Sequence, residues 1–138
     1  MALKNYTTKI PAAQTAGEIQ GILAVHGARK IMVDYSDAGE VECISFQIIT
    51  PNGPRSFRLP ARVEGVAHAL AKDGCKCDMV HAANVAWRNV KDWITAQMAM
   101  VEIEQAAVEE IFLPYMTTST GETLYEQYQK NQLLIDKE

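Results

Sequence analysis

Long apolar runs are missing from this chain: no stretch approaches the roughly 20 residues that a helix needs to span a bilayer. No secretory leader is expected either, because residues 1–6 are polar and no apolar segment follows them. Cysteine is scarce and odd in number. Cys43, Cys75 and Cys77 do not make a disulfide framework, so a reducing cytoplasm is the expected setting. Basic charge is not in excess. Thirteen Lys and Arg face seventeen Asp and Glu, and a net charge of -4 argues against a general nucleic-acid coat. Catalytic signatures are absent as well. The glycines are isolated rather than gathered in a phosphate loop, and there is no HExxH, no EF-hand loop and no Ser-His-Asp order.

What remains is a chain of 138 residues, 48% apolar, which suits a single domain with a core of its own and no metal or disulfide staple. Its most informative stretch is 84–115. That run carries both tryptophans and contains no glycine, and no proline before Pro114. As one helix, about thirty such residues would reach roughly 43 Å. The spacing predicts that it is the central helix of the fold.

Upstream, 6–10 is an edge strand or an ordered arm, and 1–10 is an N-terminal arm to the domain 1–138. Thr15 and Glu18 fit a capping box that would open a helix over 16–26, with Gly27 at its C-terminal cap. Three strands follow. Residues 30–35 put Ile31, Val33 and Tyr35 on one face; 41–50 put Ile44, Phe46 and Ile48 there; 55–59 add Phe57 and Leu59. Asn52-Gly53 marks the tight turn between the last two. A second helix is expected over 61–72, with Val63, Val66, Ala67 and Leu70 inward and Asp73-Gly74 as its stop. Residues 75–80 are a loop or partly join the next helix. The segment 117–138 is a tail with an amphipathic helix at 122–134 that uses Leu124, Tyr125, Tyr128 and Leu133. The fold class is therefore α+β: a three-stranded antiparallel β-meander covered on one face by helices, including one long central C-terminal helix.

Several clusters could carry chemistry. His68, Cys75, Cys77 and His81 are soft ligands within fourteen residues, and four such groups can close a tetrahedral zinc site. Their spacing departs from a zinc knuckle, and the alternative is a loop with free thiols and solvated histidines. Zinc is thus the one cofactor candidate, and otherwise none is expected. Cys75 and Cys77 lie near Lys72, Lys76 and His81 but also beside Asp73 and Asp78, so a nucleophilic cysteine ranks below the zinc reading. Lys30, Arg55, Arg58 and Arg62 come from the sheet segment and its margins. Alternation puts Lys30 and Arg58 on the face opposite the apolar one, with Ser45 and Gln47 between them. This is a candidate phosphate-contacting strip, although it lacks aromatics for base stacking; a solvated polar face is the alternative.

On the long helix, Trp87, Val90, Ile94, Met98 and Val101 trace one apolar stripe, and Ala86, Trp93, Ala96 and Met100 trace another. A core role is the default. Excess length and adaptable methionine leave room for a protein-interaction surface built from Trp87, Trp93, Met98, Met100, Glu102 and Glu109. Glu102 and Glu109 would share a face, seven residues apart.

The blocks TAGEIQGILAVHGA, FRLPARVEGV, AWRNVKDWITAQ and FLPYM together resemble a family of small bacteriophage and mobile-element proteins to which no activity is assigned. The resemblance runs from about residue 10 to 125 and is most specific in the AWR…W…AQ and FLPYM blocks. It implies a phage or prophage accessory protein in a bacterial cytoplasm and assigns no site residue. The expected function is non-enzymatic: binding of a protein partner, such as a host defence or replication component, or self-association. The alternative is a nucleic-acid module in phage recombination or replication. A weaker one is an enzyme or small-ligand binder of unrecognised type. No membrane partner is expected.

Overall fold

The computed structural model describes residues 2–76, 78–131, 133, 135 and 136. The elements run α1 (Ala12–Val25), β1 (Ala28–Tyr35), β2 (Val41–Thr50), β3 (Gly53–Pro60), α2 (Val63–Lys72), α3 (Met79–Glu102), α4 (Val108–Ile111), a 3-10 turn (Leu113–Tyr115) and α5 (Leu124–Gln129). The three strands form one antiparallel sheet in the order β1-β2-β3. Its apolar face is the alternation expected: Ile44, Phe46, Ile48, Phe57 and Leu59 are all buried. Phe46 and Phe57 are directly opposed across β2 and β3, with ring centroids 5.1 Å apart and stacked. Helix α1 packs on this face, α3 packs against α1 and joins the same core through Trp87, Ile94 and Met98, and α2 packs beside α3. No helix among the described residues is long and apolar enough to cross a membrane.

Helix α1 begins four residues before the expected start. Its N-terminus is closed from outside, because the Ala12 N–H donates to Asn84 Oδ1 on α3 at 2.9 Å. Thr15 and Glu18 therefore do not form a capping box. Thr15 is buried, and its hydroxyl accepts from Arg88 Nη1 at 3.2 Å. The Glu18 carboxylate takes Arg88 Nη1 at 3.1 Å and Lys91 Nζ at 2.7 Å. These two cations, Lys91 foremost, hold the Glu18 carboxyl down at about 2. Ile19 and Leu23, on the same helix face, are fully buried, each contributing about 1.5–3 kcal/mol by removal from water.

The long helix is shorter and earlier than expected. It starts at Met79, because Asp78 caps it by accepting from the His81 N–H at 2.8 Å. It ends at Glu102, after 24 residues and about 36 Å. The expectation of one rod through residue 115 is overturned by a break at 103–107. Gln105 N–H reaches back to Met100 O at 2.9 Å, and Glu104 N–H to Val101 O at 3.0 Å. Glu104 supplies the left-handed residue (φ 61) that such a six-to-one closure requires. The chain then doubles back through α4 and buries Phe112 against Phe46, Phe57 and Trp93. Burial of this one ring outweighs continuation of the helix into solvent. Glu102 and Glu109 consequently share no helix face.

Other departures are local. Of the two readings of 6–10, the ordered arm holds and the edge strand does not: Asn5 Nδ2 donates to Asn89 Oδ1 and Asp92 Oδ2 on α3, and Tyr6 O lies 2.7 Å from His81 Nε2. Tyr35 is exposed rather than inward, because a bulge between Asp34 and Tyr35 shifts the register. Helix α2 starts at Val63 and fully buries only Leu70. The tail helix shrinks to α5, opened by a true capping box between Thr123 and Glu126. Tyr125 and Tyr128 stack on one another in solvent instead of facing a core. Leu134, expected in that helix, lies outside the described residues.

Candidate functional site

A broad concavity sits where the end of β3, α3 and the tail meet. Pro60 ends β3, and the chain turns through Ala61 to Arg62, whose carbonyl accepts the Val66 N–H that starts α2. Helix α3 supplies Val90 and Trp93 on one side. The 3-10 turn supplies Tyr115, and α5 supplies Tyr125 and Gln129 on the other. Arg62 and Tyr115 line each of three adjoining hollows, of about 230, 350 and 470 Å³.

The walls are anchored to the core through a relay of rings. Phe112 meets Phe46 edge-on at 5.5 Å, Trp93 meets Phe112 edge-on at 5.4 Å, and Tyr115 meets Trp93 at 5.9 Å. Each such pair contributes about 0.5–1.5 kcal/mol beyond area burial, so the groove is held in shape before anything binds. The tail is fixed from the sheet. Met116 bridges Phe57, and Thr117 N–H donates to Ser56 O at 2.8 Å, which covers the outer edge of β3. Arg58 donates Nη1 to Gly121 O at 2.9 Å, and Nη2 to Glu126. The Glu126 carboxyl is drawn below its usual range, chiefly by the Thr123 backbone N–H, with Arg58 assisting.

Charge in the groove is therefore asymmetric. Arg58 is neutralised by Glu126, whereas Arg62 is exposed and has no carboxylate partner among the described residues. A guanidinium fork beside aromatic walls is an arrangement that takes a carboxylate or phosphate and an apolar group together. Among the described residues, no cysteine, serine or histidine lines these hollows. The Cys43 thiol, on the open face of the sheet, is pushed up to about 11 by burial and by Asp34, whose Oδ2 accepts its S–H.

The residues singled out from sequence are dispersed. Trp87 and Met98 are buried core residues, so they offer no surface to a partner. The Trp87 indole N–H has no acceptor among the described residues. Trp93 is half-buried in the groove wall. Met100 is exposed near the end of α3. Glu102 is committed to His26, with Nε2 and Oε1 2.9 Å apart, while Nδ1 lies 2.8 Å from Ile22 O. Two acceptors around one ring favour the imidazolium, and the Ile22 carbonyl, then Glu102, raise the His26 pKa. Glu109 borders a different hollow, beside Arg29.

The four basic residues do not form one strip. Lys30 and Arg58 lie on the open sheet face, in register with Gln47 and Ser45 as alternation requires. Arg55 is opposite Ile48, on the helix-covered side, and Arg62 lies beyond the sheet. Among the metal candidates, His68 is exposed on α2, and His81 is engaged through Nε2 with Tyr6 O at 2.7 Å. Cys77 lies outside the described residues. No three His, Cys, Asp or Glu among the described residues are grouped to hold a metal ion.

Tyr115, Tyr125 and Gln129 were not among the site residues expected from sequence. The Leu-Pro-Tyr turn and the Leu-Pro-Ala-Arg junction were the available signals, but nothing in either shows that they meet. Comparison with family models, with curated proteins and with solved structures finds no match for this chain.

Proposed function

We propose that this chain is a non-enzymatic accessory protein, of phage or mobile-element type, that works by binding a protein partner. The groove around Arg62 takes a short segment in which an acidic residue neighbours an aromatic or branched apolar one. The observation that carries this reading is the exposed Arg62, without a carboxylate partner among the described residues, lining the same hollows as the rings of Trp93, Tyr115 and Tyr125. Arg62 supplies the charge-assisted contact, and the rings supply apolar area and shape. Gln129 is placed to pair with backbone groups of an extended segment.

Selection from a random peptide library against the intact chain tests this. Enriched peptides should carry Asp or Glu beside an apolar residue, and should lose at least about tenfold in affinity against Arg62→Glu, the equivalent of one charge-assisted pair. Enrichment of peptides that bind Arg62→Glu equally well, or no enrichment at all, would overturn the assignment.

A further inference from the structure

The sheet has two edges, and they are treated differently. The outer edge of β3 is covered by the tail through Met116 and Thr117. The outer edge of β1 pairs with no strand among the described residues. An uncovered edge offers a row of backbone donors and acceptors to another chain. Strand β1 is regular over only five residues, Lys30 to Asp34, between one irregularity at Ala28/Lys30 and another at Asp34/Tyr35. Met32 is the midpoint of that regular segment, and the residue is 57% exposed, on the open face.

The sequence of this segment is complementary to itself. When two copies of β1 run antiparallel about a two-fold axis at Met32, Lys30 of each copy opposes Asp34 of the other. Met32 meets Met32, and Ile31 meets Val33. Lys30, Met32 and Asp34 share the open face, opposite Gln47, Ser45 and Cys43 of β2. Ile31 and Val33, both half-buried at the margin of the core, share the covered face. Shifting the axis to Lys30 or to Asp34 opposes like charges. Shifting it to Ile31 or Val33 leaves both charged residues without an opposite partner. Only the register through Met32 pairs both charges, and it also keeps every side chain on its own face.

The geometry points to a second copy of this chain as the occupant of the β1 edge, giving a two-fold dimer with a continuous six-stranded antiparallel sheet. The interface is isologous, as closed dimers require. Five residues of pairing make it small, so the dimer is a weak one. The edge lies across the sheet from the Arg62 groove, so this inference stands or falls apart from the partner-binding reading.

Sedimentation equilibrium of the full chain, up to about 1 mM, tests it. The wild type should show a monomer–dimer equilibrium. Lys30→Asp and Asp34→Lys should each weaken the dimer about tenfold, because either change puts like charges opposite one another twice in the two-fold pair. The double variant Lys30→Asp/Asp34→Lys should restore it. Met32→Lys, which opposes two ammonium groups on the axis, should abolish it and serves as a second probe should Asp34→Lys fail to fold; circular dichroism checks each variant. A strict monomer at every concentration overturns the inference. So does a dimer indifferent to the single charge changes, or one that the double variant does not rescue.

Discussion

Phe112→Ala separates the observed fold from a continuous-rod alternative more sharply than any other substitution. Phe112 is fully buried and touches rings on β2, β3 and α3. Had α3 continued straight past Ile103, residue 112 would lie roughly 14 Å beyond the break, clear of the sheet. The observed placement makes truncation a cavity-forming change of about 3–5 kcal/mol, including the loss of three edge-on aromatic pairs. For 138 residues, an unfolding entropy near 2.1 cal/mol/K per residue gives about 0.3 kcal/mol per degree, so Tm should fall by roughly 10–17 °C. Thermal unfolding followed by circular dichroism reads this directly. Urea titration should show a lower midpoint with an unchanged slope. A fall of less than about 3 °C would mean that Phe112 is not in the core, and the folded-back path of 103–115 would be wrong.

Glu104→Gly should raise stability by up to about 1 kcal/mol, because it relieves a left-handed residue at φ 61 at the smaller cost of glycine's unfolded-state freedom; a drop in Tm would contradict the left-handed cap. Glu18 is held at about 2, below its ordinary 4.5. Its contribution is thus fully present above pH 4.5 and is lost as pH falls toward 2. The stability gap between wild type and Glu18→Gln should therefore be wide at pH 6 and narrow at pH 3, whereas a constant gap would refute the Arg88–Lys91 clamp. His26 is shifted upward from 6.5, so its contribution is complete below pH 6.5 and fades as pH rises through the raised value. A proton NMR titration midpoint at or below 6.5 would contradict the Ile22 and Glu102 contacts.

The sheet was legible in the sequence because its code is local. Alternation over 41–50 placed Ile44, Phe46 and Ile48 inward, and Asn52-Gly53 fixed the hairpin. Helix boundaries were less legible wherever a distant group decided them. Asn84 closes the N-terminus of α1 from 72 residues away, so the local Thr15–Glu18 pattern was misleading. The break after Glu102 carries no glycine or proline; it is imposed by burial of Phe112 and closed by a glutamate in a position that favours glycine. Tyr35 was misplaced by a bulge that a strict period of two does not describe. The groove was the least legible part. Arg62, Trp93, Tyr115 and Tyr125 come from four segments, and only the folded-back tail brings them together.

The central claim is that the Arg62 groove receives an acidic, apolar segment of another protein. Amide and indole chemical-shift mapping by ¹H–¹⁵N NMR, with the tightest selected peptide titrated into the labelled chain, tests it most directly. The account predicts that saturable shifts concentrate at Arg62, the Trp93 indole N–H, Tyr115 and Tyr125, while the fully buried Trp87 indole stays in place. Shifts confined to β1 or to the end of α3, with the groove silent, would contradict it.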